Sequence, residues 1–217
     1  MIKQIKMSIK LLRYTFGMKM CIGLGVVFLL CGVAMSLMPE ELGLSGSFFL
    51  IATAMWATQL FYSLSVSSLV QSSPYKKAAQ TSMPAIISFL SFLGSYAVIL
   101  LLKLPRLQTA NAETQQYMAA DLISSGLLII VIMIYTGIAY KFFVAATVLF
   151  FVTFMGTVFL ERAYMVFVLA MPSVGTAAVI GLLEIVVGAV LQYGVSLLVY
   201  KYPMAKRAQL RSLQKQM

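Results

Sequence analysis

Between Met20 and Tyr200 the chain is a succession of long apolar runs parted by short polar breaks. Several runs exceed about 18 residues, the length at which a helix covers the hydrocarbon core of a bilayer. No other feature restricts the fold as much, because in lipid every backbone N–H and C=O must be satisfied inside protein. A membrane barrel would alternate apolar and polar residues in segments of about ten, and these runs do not alternate. Composition agrees: the chain is 61% hydrophobic and 10% charged, with a mean hydropathy of +0.96. The expected fold class is all-α, a polytopic membrane protein. Residues 1–217 then form a single transmembrane domain, with no room for a separate soluble one.

Residues 1–19 carry Ile2, Ile5, Ile9, Leu12 and Phe16 at steps of three and four. Lys3, Lys6, Lys10 and Arg13 follow the same steps on a stripe beside them. This double periodicity predicts a cytoplasmic interfacial helix whose lysines snorkel towards phosphates. The basic stretch is too long for a cleavable signal peptide, and no small-x-small site follows the first apolar run. Six spans are expected, at Met20–Met38, Phe48–Val70, Ile86–Leu102, Leu122–Tyr140, Phe142–Leu160 and Thr176–Tyr200. Gly43-Leu44-Ser45-Gly46 reads as a turn between the first two, and the stretch carrying Lys103, Arg106, Glu113 and Asp121 as a polar loop. Lys141 alone separates spans 4 and 5, which predicts a tight helical hairpin. The apolar piece Ala163–Met171 would cover only about 13 Å as a helix, less than half the hydrocarbon thickness. It should enter and return as a short re-entrant element, broken at Pro172-Ser173-Val174-Gly175. A basic cytoplasmic tail follows at 201–217.

Six spans put both termini on one side. Of the 16 basic residues only Lys103, Arg106 and Arg162 then lie opposite, and that opposite side holds every acid except Glu184. By the positive-inside rule the termini and the Gln71–Pro84 loop are cytoplasmic, in a plasma (inner) membrane. The net charge of +10 therefore sits in flanks and loops, where it orients the chain and meets anionic lipid. No nucleic-acid partner is implied.

Gln71–Pro84 is a polar break between two apolar runs. Pro74 suits the first position of a short helix with Ser73 as its cap. Tyr75, Lys76 and Lys77 then face the cytoplasm. A loop obeying the positive-inside rule needs no more than this, and a rigid handle for a soluble motor would look the same.

The sequence has no histidine. Ser-His and Cys-His nucleophile pairs and most transition-metal sites are thereby removed. There is no Gly-x-x-x-x-Gly-Lys-Ser/Thr loop for ATP and no intramembrane pair of acids, so an enzyme is not expected and no cofactor is assigned to the chain. Cys21 and Cys31, about 15 Å apart along one helix, are too distant for a disulfide between them.

Glu184 lies inside span 6, where an acid costs about 2.5–3.5 kcal/mol on insertion scales and must avoid lipid. Glu184, Gly188, Gln192 and Ser196 recur every four residues and form one small, polar stripe. Such a stripe suits a wet translocation path or close helix packing. Gln59, Ser63 and Ser67 make a second stripe on span 2, where serines can bond their own helix backbone.

With its basic amphipathic N-terminus, six spans, re-entrant element and Ser72-Ser73-Pro74-Tyr75-Lys76-Lys77 before an apolar span, the chain resembles the membrane subunits of ATP-binding-cassette exporters of the type-2 permease class. Many members carry Ser/Leu-Pro-x-Arg/Lys-Arg/Lys after span 2, in the helix that docks into the ATPase. Their usual Gly-Lys after it is replaced here by Gln80-Thr81-Ser82. The resemblance implies coupling to an ATPase through Ser73, Pro74, Tyr75, Lys76 and Lys77. It also implies a second membrane subunit, identical or related, and P-loop ATPase subunits that hold the ATP and magnesium. The alternatives are a substrate-binding membrane subunit of a vitamin or metal importer, and a non-transporting scaffold or sensor.

Overall fold

The structure is a computed structural model. It describes residues 18–37, 43–66, 68–108, 110–139, 141–142, 144–153, 155–156 and 173–202, with the backbone alone at 43–45, 61–66, 68 and 69. The described elements are all helices: α1 (Met18–Ser36), α2 (Gly43–Val66), α3 (Ser68–Gln71), α4 (Lys76–Gln80), α5 (Ser82–Leu107), α6 (Ala112–Ala139), α7 (Val144–Thr153) and α8 (Val174–Val199). Four of them, α1, α5, α6 and α8, are long and apolar enough to cross a membrane. Shorter apolar stretches lie at Gly46–Leu60 in α2 and in α7. The expected interfacial helix, the Ala163–Met171 element and the tail beyond Tyr202 lie outside the described residues.

Close contacts fix the directions of the helices. Gly46 abuts Ser36, and Gly32 abuts Leu50, so α1 and α2 run antiparallel. Gly126 faces Gly181 and Glu184, Met133 faces Gly188, and Gly137 faces Gln192 and Ser196. Both numbers rise together, so α6 and α8 are parallel. Tyr96 of α5 reaches Ala178, and Ser88 reaches Gln192, so α5 is antiparallel to α8. One core joins them: Leu50 and Ile51 of α2, Phe92, Tyr96 and Ile99 of α5, Leu122, Ile129 and Met133 of α6, and Ile185 of α8. α1 stays at the periphery, with Phe28 against Phe49 and Trp56.

Several boundaries differ from those expected. Gly43–Gly46 is the first turn of α2 rather than a loop, because Gly46 lets the helix start directly against the Ser36 backbone. α5 begins at Ser82, before Ile86, since Pro84 falls in its first turn, where a missing N–H is harmless. It continues through Pro105 to Leu107. α6 begins at Ala112, capped by Asn111, whose Oδ1 accepts from the Thr114 N–H at 3.0 Å and the Thr114 hydroxyl at 2.6 Å. Lys103, Arg106, Glu113 and Asp121 are therefore on helices and not in a polar loop.

Charge pairing permits this. The Lys103 Nζ lies 2.5 Å from the Asp121 Oδ2, which also accepts from the Ser47 hydroxyl at 2.7 Å. Two helices can continue past Lys103 and Asp121 because these two charges are paired, and Ser47 ties α2 to the same point. At the other end the chain reverses tightly, as expected: Lys141 and Phe142 N–H groups both donate to the Ile138 carbonyl. α7 then returns along α6, with Phe150 against Tyr135 at 5.1 Å.

Removing one partner of a buried pair strands a charge, whereas replacing both by apolar groups is close to neutral. Asp121→Ala should destabilise the bundle by up to about 3 kcal/mol, and Asp121→Leu with Lys103→Met should recover most of that loss. Thermal unfolding in detergent measures both, and equal losses in the two proteins would contradict the pairing.

Candidate functional site

The first candidate site is the polar segment between α3 and α5. Its local structure departs from the expected cap. Ser73 does not cap a helix: its hydroxyl donates back to the Val70 carbonyl at 2.9 Å, and its N–H donates to the same atom at 3.2 Å. Ser73 thus closes α3, and Pro74 sits second in a turn joined by the Lys76 N–H to the Ser73 carbonyl at 3.2 Å, a position its ring favours. α4 starts only at Lys76, after Tyr75. Its back is seated, since Val70, Ala79 and Met83 form a small buried cluster extended by Ala78 and Ile87. Its far end is tied by the Thr81 hydroxyl, which donates to the Lys77 carbonyl at 2.8 Å. Pro74, Tyr75, Lys76 and Lys77 remain exposed and Ser73 half-buried. A short basic rod, held firmly from behind, projects from one end of the bundle.

The second candidate site is the stripe on α8. Gly188, Gln192 and Ser196 are buried, together with Ala177, Gly181 and Ile185. Glu184 is half-buried, but its Oε2 is enclosed and has no hydrogen-bond partner among the described residues. The stripe faces α5 and α6 of the same chain, and the other face of α8 exposes Val179, Leu183, Val186, Val187 and Val190. The absence of side chains at two glycines makes this approach possible. A methyl group on Gly126 would strike the Glu184 carboxylate and the Gly181 backbone, and one on Gly188 would meet the Met133 sulfur at 2.8 Å.

Gln192 joins three helices. It is fully buried, and its Nε2 donates to Ser88 of α5 at 3.1 Å and Thr136 of α6 at 3.0 Å. Its Oε1 and the Ser196 hydroxyl find no partner among the described residues. Nearer the other end the Tyr96 hydroxyl lies against Gly181 and within 3.4–3.5 Å of the Leu122 and Ala178 carbonyls. Ser88, Tyr96, Gly126 and Thr136 are members of the site that α8 alone does not reveal. Their signal is weak, one polar or small residue each in an apolar run. In α2, Gln59 is exposed, of Ser63 the backbone alone is described, and Ser67 lies outside the described residues.

No carboxylate or thiol cluster able to hold a metal occurs among the described residues, and Cys21 and Cys31 are free thiols on α1. The arrangement offers hydrogen bonding and one enclosed acid along a seam between three helices, and a basic projection at its end. No family model, curated protein or solved structure matches the chain.

Overfilling a tight helix contact costs about 1–3 kcal/mol. Gly188→Leu should lower stability by that amount, and Met133→Ala in the same chain should restore part of it by vacating the space opposite. Unfolding in detergent tests the pair; a double variant no better than Gly188→Leu would place the strain elsewhere.

Proposed function

We propose that this chain is the permease subunit of an ATP-driven ATP-binding-cassette transporter, an exporter of the type-2 permease class. The observation that carries the reading is the α4 handle. It is short and basic, exposed at Pro74 to Lys77, and seated behind on Val70, Ala79 and Met83. A loop that only reverses direction needs no such seat. A soluble ATPase that must move a membrane helix needs a rigid, exposed lever joined directly to that helix, and α5 begins two residues after α4 ends. Ser73 and Pro74 set the turn, while Tyr75, Lys76 and Lys77 meet the partner.

In this reading α2 and the chain from α7 onward complete six spans, with Ala163–Met171 re-entering from the outer face. Both termini and α4 are cytoplasmic, in the plasma (inner) membrane. Two membrane subunits, identical or related, pair over separate P-loop ATPases, which bind the ATP and magnesium; this chain is not the enzyme. The Glu184, Gly188, Gln192 and Ser196 stripe is the polar element of the translocation machinery or of its packing. Because that stripe is enclosed by α5 and α6 of one chain, a second reading also has support: a substrate-binding membrane subunit of a vitamin or metal importer. A soluble P-loop ATPase that binds this chain through α4 separates the two readings.

Pro74→Gly with Lys76→Glu should leave insertion intact and uncouple ATP hydrolysis from transport. Substrate-stimulated ATPase activity and transport in a reconstituted complex are the measurements, and unchanged values in both would sink the handle assignment.

Topology gives a separate check. Single cysteines at Ser173 and Lys77, in a background without Cys21 and Cys31, should react with impermeant thiol reagents from opposite sides of sealed vesicles. Labelling from the same side removes the six-span arrangement.

A further inference from the structure

Lys141 lies in the turn after α6 and is 9% exposed. Its ammonium sits 5.7 Å from the centre of the Tyr200 ring. The next residue, Phe142, meets Tyr202 edge-on at 5.4 Å. The α6–α7 turn and the end of α8 thus meet through an aromatic collar, with Lys141 over its Tyr200 ring. Burial, and then the charge of Lys76, hold the Lys141 ammonium below the ordinary lysine range.

Nothing described neutralises this charge. The acids among the described residues are Glu113, Asp121 and Glu184. Asp121 lies about 30 Å away along α6 and is paired with Lys103. Glu184 precedes Tyr200 by about 24 Å of helix. Residues 185–217 and 42–112 contain no acidic side chain at all. A buried ammonium that also feels the charge of Lys76 calls for an anion.

We propose that Lys141, Lys76 and the collar of Phe142, Tyr200 and Tyr202 seat the phosphate of an anionic phospholipid headgroup. Aromatic rings with lysine are the side chains that settle at headgroup depth, and the cytoplasmic leaflet is the anionic one. The apolar surface running away from the collar favours a lipid over free phosphate. Leu198, Val144 and Val148 are exposed there, at 74%, 62% and 59%, and offer a track for an acyl chain. The inference rests on a bilayer whose cytoplasmic leaflet meets the α4 end of the bundle, and does not depend on the permease reading. Lys76 belongs to both the seat and the α4 handle, so a bound headgroup would restrain the handle.

The test uses the full chain in detergent, with native mass spectrometry of retained lipid. Phosphatidylglycerol and phosphatidylcholine with the same acyl chains compete, and inorganic phosphate is tried alone. Phosphatidylglycerol should be retained preferentially. Lys141→Gln and, independently, the exposed Lys76→Gln should each cut that preference roughly fivefold, the scale of one lysine at an anionic surface. Lys141→Arg and Lys77→Gln should keep most of it. Equal retention of the two lipids by the parent chain overturns the proposal, as does an unchanged preference in Lys141→Gln. Equal losses in Lys77→Gln and Lys141→Gln would mean diffuse charge rather than a seat. Binding of inorganic phosphate as strongly as of phosphatidylglycerol would refute the lipid.

Discussion

The backbone approach of α6 and α8 is the contact on which the rest of the bundle depends. In lipid no hydrophobic gain favours helix association, since acyl chains are as apolar as leucine. What remains is van der Waals contact at short range and hydrogen bonds between helices. Gly126 against Gly181, and Gly188 against Ile130 and Met133, supply the short range. Once these backbones meet, Glu184 is carried over Gly126 and Gln192 beside Gly137. α5 then lies along the seam, with Tyr96 over Gly181 and Ser88 on Gln192. Interhelical hydrogen bonds in membranes contribute roughly 0.6–2 kcal/mol each. Gln192 therefore fixes the register of three helices more than it supplies their stability.

The sequence makes half of this seam legible. An acid in a span must turn away from lipid, and the four-residue spacing of Glu184, Gly188, Gln192 and Ser196 predicts a face. That face is the buried one. The opposing half is hidden because Ser88, Tyr96, Gly126 and Thr136 come from two other helices, and no period within one helix reveals which of its residues meets another. The span-2 stripe illustrates the same limit from the other side: Gln59 shares its spacing logic and is exposed.

Helix boundaries are harder to read than the helices themselves, for reasons visible at four residues. Asn111 is a cap whose helix opens on Ala112 followed by the polar residues Glu113 to Gln116, so an apolar window misses it. Lys103 and Asp121 look like loop residues singly and become compatible with helix ends only as a pair. Ser73 has the composition of an N-cap, yet its hydroxyl bonds back to Val70. Serine can also bond back to the carbonyls of a preceding helix, and spacing alone does not distinguish this from an N-cap.

One helix links the α4 handle, the buried seam and the ion pair. α5 starts beside the handle, where Met83 packs with Val70 and Ala79. It passes Ser88, bonded to Gln192, and then Tyr96 over Gly181. It ends beyond Lys103, paired with Asp121. A displacement of α4 has two places to go. It can be absorbed at the Thr81–Ser82 junction, or it can move α5 as a rod. The junction is poorly suited to absorb it, because Thr81 and Ser82 are bonded back to Lys77 and Ala78 and Met83 is buried against Ala79. Movement of the rod would strain its single neutral bonds, Ser88 to Gln192 and Tyr96 to the Leu122 and Ala178 carbonyls, before the ion pair. If α4 is the handle proposed above, the sequence order makes α5 a lever whose neutral attachments lie partway along it, at the seam that carries Glu184.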